Sequence, residues 1–172
     1  MTRYQLAKIV EWAGTLQSRK RMQKVVYLLK SAGCPLDAEY RLHFYGPYSE
    51  DVARLNGEMV RTHLLNEASE TTPVGFRYSY RLPDAVRASL GSFEASPQGG
   101  RLLNEMAPFE QLARDLVHVD PKTLEYAATI AYFRQQGHEW PDAIEKMCEF
   151  KKLIRDVSVV RDAEALARKF AE

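Results

Sequence analysis

The tetrapeptide Gly46-Pro47-Tyr48-Ser49 constrains this chain more than any other stretch. Proline fixes φ and biases the residue before it away from helix, so an extended run ahead of it is expected to stop at the Gly-Pro pair. Such a run precedes it: Tyr40, Leu42 and Phe44 alternate with Arg41, His43 and Tyr45, the period of a short half-buried strand. Ser49 is a natural N-cap, and Glu50 and Asp51 put negative charge in a first helical turn, where it complements the helix dipole. The helix from Ser49 to about His63 sets Val52, Leu55 and Met59 on one face. A joint of this kind fixes how the helices on its two sides cross.

Two helices come first. Leu6, Ile9, Val10 and Ala13 share one face of residues 3–16. Ser18 is positioned to cap a second helix, in which Met22, Val25, Val26 and Leu29 repeat the spacing before Gly33 and Pro35 end it. After the joint and its helix the period falls to two. Phe76, Tyr78, Tyr80 and Leu82 alternate with Arg77, Ser79 and Arg81, Leu64 to Ser69 supplies a partner strand, and Thr71-Thr72-Pro73-Val74-Gly75 the turn. Helix, helix, short strand, helix and β-hairpin is the order of a winged helix-turn-helix.

Asp84 to Leu90 reads as a short helix, and Ser96-Pro97-Gln98-Gly99-Gly100 as a linker or sharp joint. Beyond it the pattern is helical, interrupted at Pro108. Asp120-Pro121 starts a helix carrying Leu124, Ala127, Ala128, Ala131 and Tyr132, which stops at Gly137. Asp142 is expected to cap the next, and Val160, Ala163, Leu166 and Phe170 mark a last one. The fold class is therefore α+β and mostly helical, with a winged-helix-like unit over residues 1–96 and a C-terminal helical unit over 97–172, either as two domains or continuous as one.

At 172 residues, 45% hydrophobic and 27% charged, the chain has the composition of a globular protein rather than a disordered one. It has neither a bilayer-length apolar run nor the apolar core of a signal peptide, and Cys34 and Cys148 stand isolated, so a cytoplasmic location without membrane contact is expected. The net charge is +1, unevenly spread: residues 1–31 hold seven basic groups against Glu11, a balance of +6. An anionic partner should prefer the first two helices.

The run Gln23-Lys24-Val25-Val26-Tyr27-Leu28-Leu29, followed by Tyr45-Gly46-Pro47-Tyr48-Ser49, resembles the YwgA-like bacterial proteins, as do Leu124, Ala128, Thr129, Ile130 and Lys151 to Leu153. A more distant similarity runs to the Panacea domain of bacterial and phage antitoxins, which shares the Tyr-Gly-Pro turn. This chain departs from that pattern at Met22 and at Tyr48-Ser49. These resemblances imply a fold and a genomic setting of toxin–antitoxin, phage and defence loci.

No metal-ligand spacing, phosphate loop, nucleophile elbow or HExxH motif is present, and the four histidines are scattered, so a non-enzymatic protein without cofactor or metal is expected. The first functional expectation is a regulatory or interaction protein of the antitoxin or adaptor kind. It would bind a protein partner, a toxin or regulatory target, through Tyr45, Gly46, Pro47, Tyr48 and Ser49. The second is a winged-helix DNA-binding regulator that holds phosphates through Arg19, Lys20, Arg21 and Lys24 on the second helix and Arg77 and Arg81 on the hairpin. Against specific groove reading, the helix from Ser49 carries Arg54 and Arg61 against Glu50, Asp51 and Glu58, a balance of −1, and Asn56 is its one candidate for reading adenine.

Overall fold

The structure is a computed structural model that describes residues 1–73, 75–154 and 157–170. Val74 of the expected hairpin turn lies outside them. Thr2 opens helix α1 (Arg3–Ala13) with a capping box: its side chain accepts the Gln5 N–H while the Gln5 side chain accepts the Thr2 N–H. Strand β1 (Leu16–Gln17) follows, and Ser18 caps helix α2 (Arg19–Ser31) through the Arg21 N–H. Every residue from Met22 to Leu29 is buried, so α2 is the central helix, enclosed on all sides, and its polar members Gln23 and Lys24 must be satisfied inside the protein.

The joint differs from the sequence expectation. Gly46-Pro47 does not stop the strand, because the chain has already reversed at Phe44-Tyr45. Strand β2 (Arg41–His43) pairs antiparallel with β3 (Gly46–Tyr48), Leu42 opposite Pro47 and His43 opposite Gly46. Proline is tolerated because a two-stranded ribbon has only edge strands. The expected burial of Phe44 fails for the same reason: at the turn it is 81% exposed. Ser49 caps helix α3 (Glu50–Arg61) through the Val52 N–H, and Val52, Leu55 and Met59 are buried, as the spacing requires.

Strands β4 (Asn66–Thr72) and β5 (Gly75–Arg81) form the long hairpin, and β1 adds to the free side of β5, giving the antiparallel order β1-β5-β4. Burial fades along the apolar face of β5, from enclosed Tyr80 through half-buried Tyr78 to Phe76, 69% exposed. Helix α4 (Asp84–Glu94) runs one turn longer than expected. The linker or sharp joint expected over residues 96–100 is confined to Ala95 and Ser96: Ser96 caps helix α5 (Pro97–Met106), residues 97–100 form its first turn, and a Cβ on Gly99 would collide with the Phe93 carbonyl oxygen.

A 3-10 turn at Pro108 leads into helix α6 (Glu110–Leu116). Asp120 caps helix α7 (Pro121–Gln135) by accepting from Lys122 and Thr123. Fully buried Ala127, Ala128 and Ala131 let neighbouring helices approach α7 closely. Helix α8 (Trp140–Lys151) begins two residues before Asp142, so this residue is not the cap. Its carboxylate instead meets His138 Nδ1 at 2.5 Å. Helix α9 (Ser158–Ala167) packs on α7.

The large core joins α1, α2 and α3 to Met106, Leu116, Leu124, Ala128 and Phe170, while the other face of α7 shares a smaller cluster with α8 and α9. Among the described residues, no helix is long and apolar enough to cross a membrane.

Candidate partner-binding cleft

The β2–β3 ribbon is held from both sides. Gln23 Nε2 donates to the Ser49 carbonyl and Gln23 Oε1 accepts the Ser49 N–H, both at 2.9 Å, so one amide brackets one residue. One turn position on, Lys24 Nζ donates to the Pro47 carbonyl at 2.6 Å. On the far side Lys151 Nζ, at the end of α8, donates to the Phe44 carbonyl at 2.7 Å and to Glu125 at 2.5 Å. Gly46, at φ 85, lies against α7 so closely that a Cβ would be 2.5 Å from Thr129 Oγ1. The Gln-Lys pair of α2 and the Gly-Pro-Tyr-Ser run are thus two halves of one clamp.

Between α2, the ribbon and α3 opens a cleft of about 650 Å³, lined among others by Arg19, Lys20, Lys24, Arg41, Tyr45 and Asn56. It brings together some expected site residues and leaves others out. Lys20 is exposed, with Nζ 3.1 Å from the centroid of the Tyr45 ring. Tyr45 is 48% exposed and Tyr48 half-buried, and both face the cleft, whereas Pro47 and Ser49 are buried within the clamp. Arg19 donates to the Tyr80 hydroxyl at 3.1 Å and to Glu67 at 3.2 Å, with its guanidinium over the Tyr78 ring.

Arg21 turns away, donating to the carbonyls of Leu116, Val117 and Val119 where α6 ends, which satisfies groups that helix termini leave open. On the hairpin, Arg77 pairs with Glu70 at 3.1 Å and Arg81 donates to Thr15 at 2.7 Å. Neither lines the cleft. Asn56 is 6% exposed and lines the cleft, too enclosed to reach a base edge in the groove of a duplex. Its Oδ1 accepts no hydrogen bond among the described residues.

Sequence reasoning missed Arg41, His43, Glu67 and Lys151. Arg41 and His43 alternate with apolar residues as on any short half-buried strand, which gives no sign of a cleft, and Lys151 reaches Phe44 across 107 residues with no local signal.

Lys24 is 4% exposed, and its ammonium is lowered to about pKa 8, chiefly by loss of solvent, with Lys151 and Lys20 adding repulsion and Glu125 opposing. The direction of the pH effect follows. Below about 8 both native and unfolded lysine are protonated, and the burial penalty is complete. Between there and the ordinary lysine range the native state releases its proton first, so the unfolded state binds more protons and stability rises with pH. The full swing is at most about 3 kcal/mol. Denaturant titrations of the wild type are expected to show stability rising from pH 7.5 to 9.5, and those of Lys24→Met to show no such rise. A flat wild-type profile would contradict the burial of this charge.

Compared with known proteins, the chain is 28% identical over 146 residues to the "Uncharacterized protein YwgA" of Bacillus subtilis (strain 168), an alignment covering 85% of this chain and 81% of that one. No family model matches the chain.

Proposed function

We propose that this chain, which shares most of its length with the YwgA relative, is a non-enzymatic interaction protein of the antitoxin or adaptor kind. In this reading the β2–β3 tip docks an acidic segment of a partner protein. Phe44 carries it: 81% exposed, it sits on a turn whose flanks are pinned by Lys24, Gln23 and Lys151. Folding gives no reason to hold a large aromatic ring rigidly in water, whereas buried aromatic anchors dominate protein interfaces. The surroundings suit an acidic occupant. Lys20 stands beside Tyr45 without a carboxylate in ion-pair range among the described residues, and the last turn of α8 adds half-exposed Phe150.

Co-expression with the product of the neighbouring gene, followed by size-exclusion chromatography and calorimetry, tests the reading. Phe44→Ser is expected to weaken the complex at least ~30-fold, the size of an interface hot spot. Unchanged affinity in that variant would remove the tip from the interface.

One observation favours the second reading, a cytoplasmic winged-helix DNA regulator. Strand β1 between the first two helices joins the hairpin that follows the third in the order β1-β5-β4, which is consistent with a winged helix carrying the β2–β3 ribbon as an insertion before α3. Its phosphate-binding set is weakened by the commitments of Arg21 to carbonyls and of Arg19 and Arg77 to carboxylates. Duplex binding that falls steeply with salt and drops with Arg77→Ala plus Arg81→Ala would favour it over the first.

A further inference from the structure

The cleft behind the docking tip has two chemically different ends. At one, Arg19 is neutralised by Glu67, and the Glu67 carboxylate also accepts from the Tyr80 hydroxyl at 2.6 Å. Asn56 interacts with that same hydroxyl through its amide, which leaves Oδ1 buried and without a donor among the described residues. A buried carbonyl oxygen without a partner is destabilising, so a donor brought by a ligand would recover that loss. This end accepts hydrogen bonds.

The other end is cationic. Arg41 is matched by Glu50 at 2.5 Å, but Lys20 and Lys24 have no carboxylate in ion-pair range among the described residues. Lys24 uses one N–H on the Pro47 carbonyl and keeps two more. The lining also includes apolar side chains: Met22, Val52, Ala53 and Val60. Its volume of about 650 Å³ lies in the range of small-molecule sites, roughly 300–1,000 Å³.

We propose that this cleft binds a nucleoside monophosphate bearing an exocyclic amine, with the phosphate between Lys20 and Lys24, the base against the apolar lining and the amine donating to Asn56 Oδ1 and Glu67. A bare anion would leave Asn56 unsatisfied, and a neutral nucleoside would leave the two ammonium groups unmatched. Turning the Asn56 amide over to suit a carbonyl would sacrifice its approach to Tyr80. The inference goes beyond partner docking: Lys20 serves both readings, but Phe44, which carries the docking, does not line the cleft.

Calorimetric titration of the full chain with adenosine monophosphate, inosine monophosphate, adenosine and inorganic phosphate tests it. Adenosine monophosphate is expected to bind with Kd below about 1 mM. Inosine monophosphate presents a carbonyl where the amine would be, and should bind at least ~10-fold more weakly, as should adenosine and phosphate. Lys20→Gln, at an exposed position, should weaken adenosine monophosphate ~10-fold without moving the melting temperature of the unliganded protein. Phe44→Ser should leave nucleotide affinity unchanged, which separates this site from the docking tip. No saturable heat with adenosine monophosphate, equal affinity for inosine monophosphate, or indifference to Lys20→Gln would each overturn the proposal.

Discussion

Gly46→Ala is expected to destabilise the protein by about 2–4 kcal/mol. Two effects add. The backbone sits at φ 85, a region that costs a residue with a Cβ about 1–3 kcal/mol. The new methyl would also meet Thr129 Oγ1 at 2.5 Å and the Glu125 carbonyl at 3.4 Å. Thr129 has no room to retreat: it is fully buried, and its hydroxyl donates to the Glu125 carbonyl at 2.8 Å. The two effects separate experimentally. Gly33 has φ 93 with open space around its Cβ position, so Gly33→Ala reports the backbone cost alone, about 1 kcal/mol. In a Thr129→Ala background the clash disappears, and Gly46→Ala should recover to near the Gly33→Ala value. Chemical denaturation of the five proteins checks this. Equal penalties for Gly46→Ala with and without Thr129 would mean that the ribbon does not press on α7 as described.

That contact explains what could and could not be seen in the sequence. Local rules work where local physics decides. Ser18, Ser49 and Asp120 cap helices, and the alternation of β5 and the break at Pro108 correspond to elements of the fold. The ribbon was not legible, because three-residue strands carry too little alternation to distinguish a straight strand from a reversal. Phe44-Tyr45 also lacks the Asn-Gly or Asp-Gly pair that usually marks a two-residue turn. Asp142 was misjudged because a carboxylate in the first helical turn and one at the cap look alike in sequence, and both are favoured there.

The charges failed as guides for a different reason. Arg19, Lys20 and Arg21 are adjacent at a helix N-terminus and look alike on paper, yet they meet three environments: a carboxylate and a tyrosine, an aromatic ring beside a cleft, and a set of backbone carbonyls 95 to 98 residues away. Successive residues on a helix are about 100° apart, so a basic run distributes itself over different neighbours. Counting it as one phosphate-binding patch overstates what a partner can reach. The cleft was invisible for the same reason: Asn56, Glu67 and Lys24 belong to three elements, and none is unusual by itself.

The second large effect is expected at Gln23. Gln23→Leu removes both hydrogen bonds to Ser49 from a site where each partner is buried. The Ser49 carbonyl retains a helical partner in the Ala53 N–H, but the Ser49 N–H has no other acceptor in the described structure. The loss is thus one orphaned buried donor plus one weakened acceptor, about 2–4 kcal/mol. Lys24→Met, one residue along, should cost far less at neutral pH, because deleting a partly unpaired buried charge offsets the lost bond to Pro47. Neighbouring substitutions of equal burial should therefore differ by ~2 kcal/mol or more, with the neutral residue as the more sensitive. Gln23→Glu distinguishes geometry from volume. It keeps the shape and the acceptor for the Ser49 N–H, but sets a carboxylate oxygen against the Ser49 carbonyl where a donor stood, so it should be rescued only at pH values that protonate it. Amide hydrogen exchange gives the local readout: Ser49 should lose protection in Gln23→Leu before the core of α2 does. Should Gln23→Leu prove as stable as Lys24→Met, the clamp would not be what holds the ribbon, and a docking tip built on it would have no rigid base.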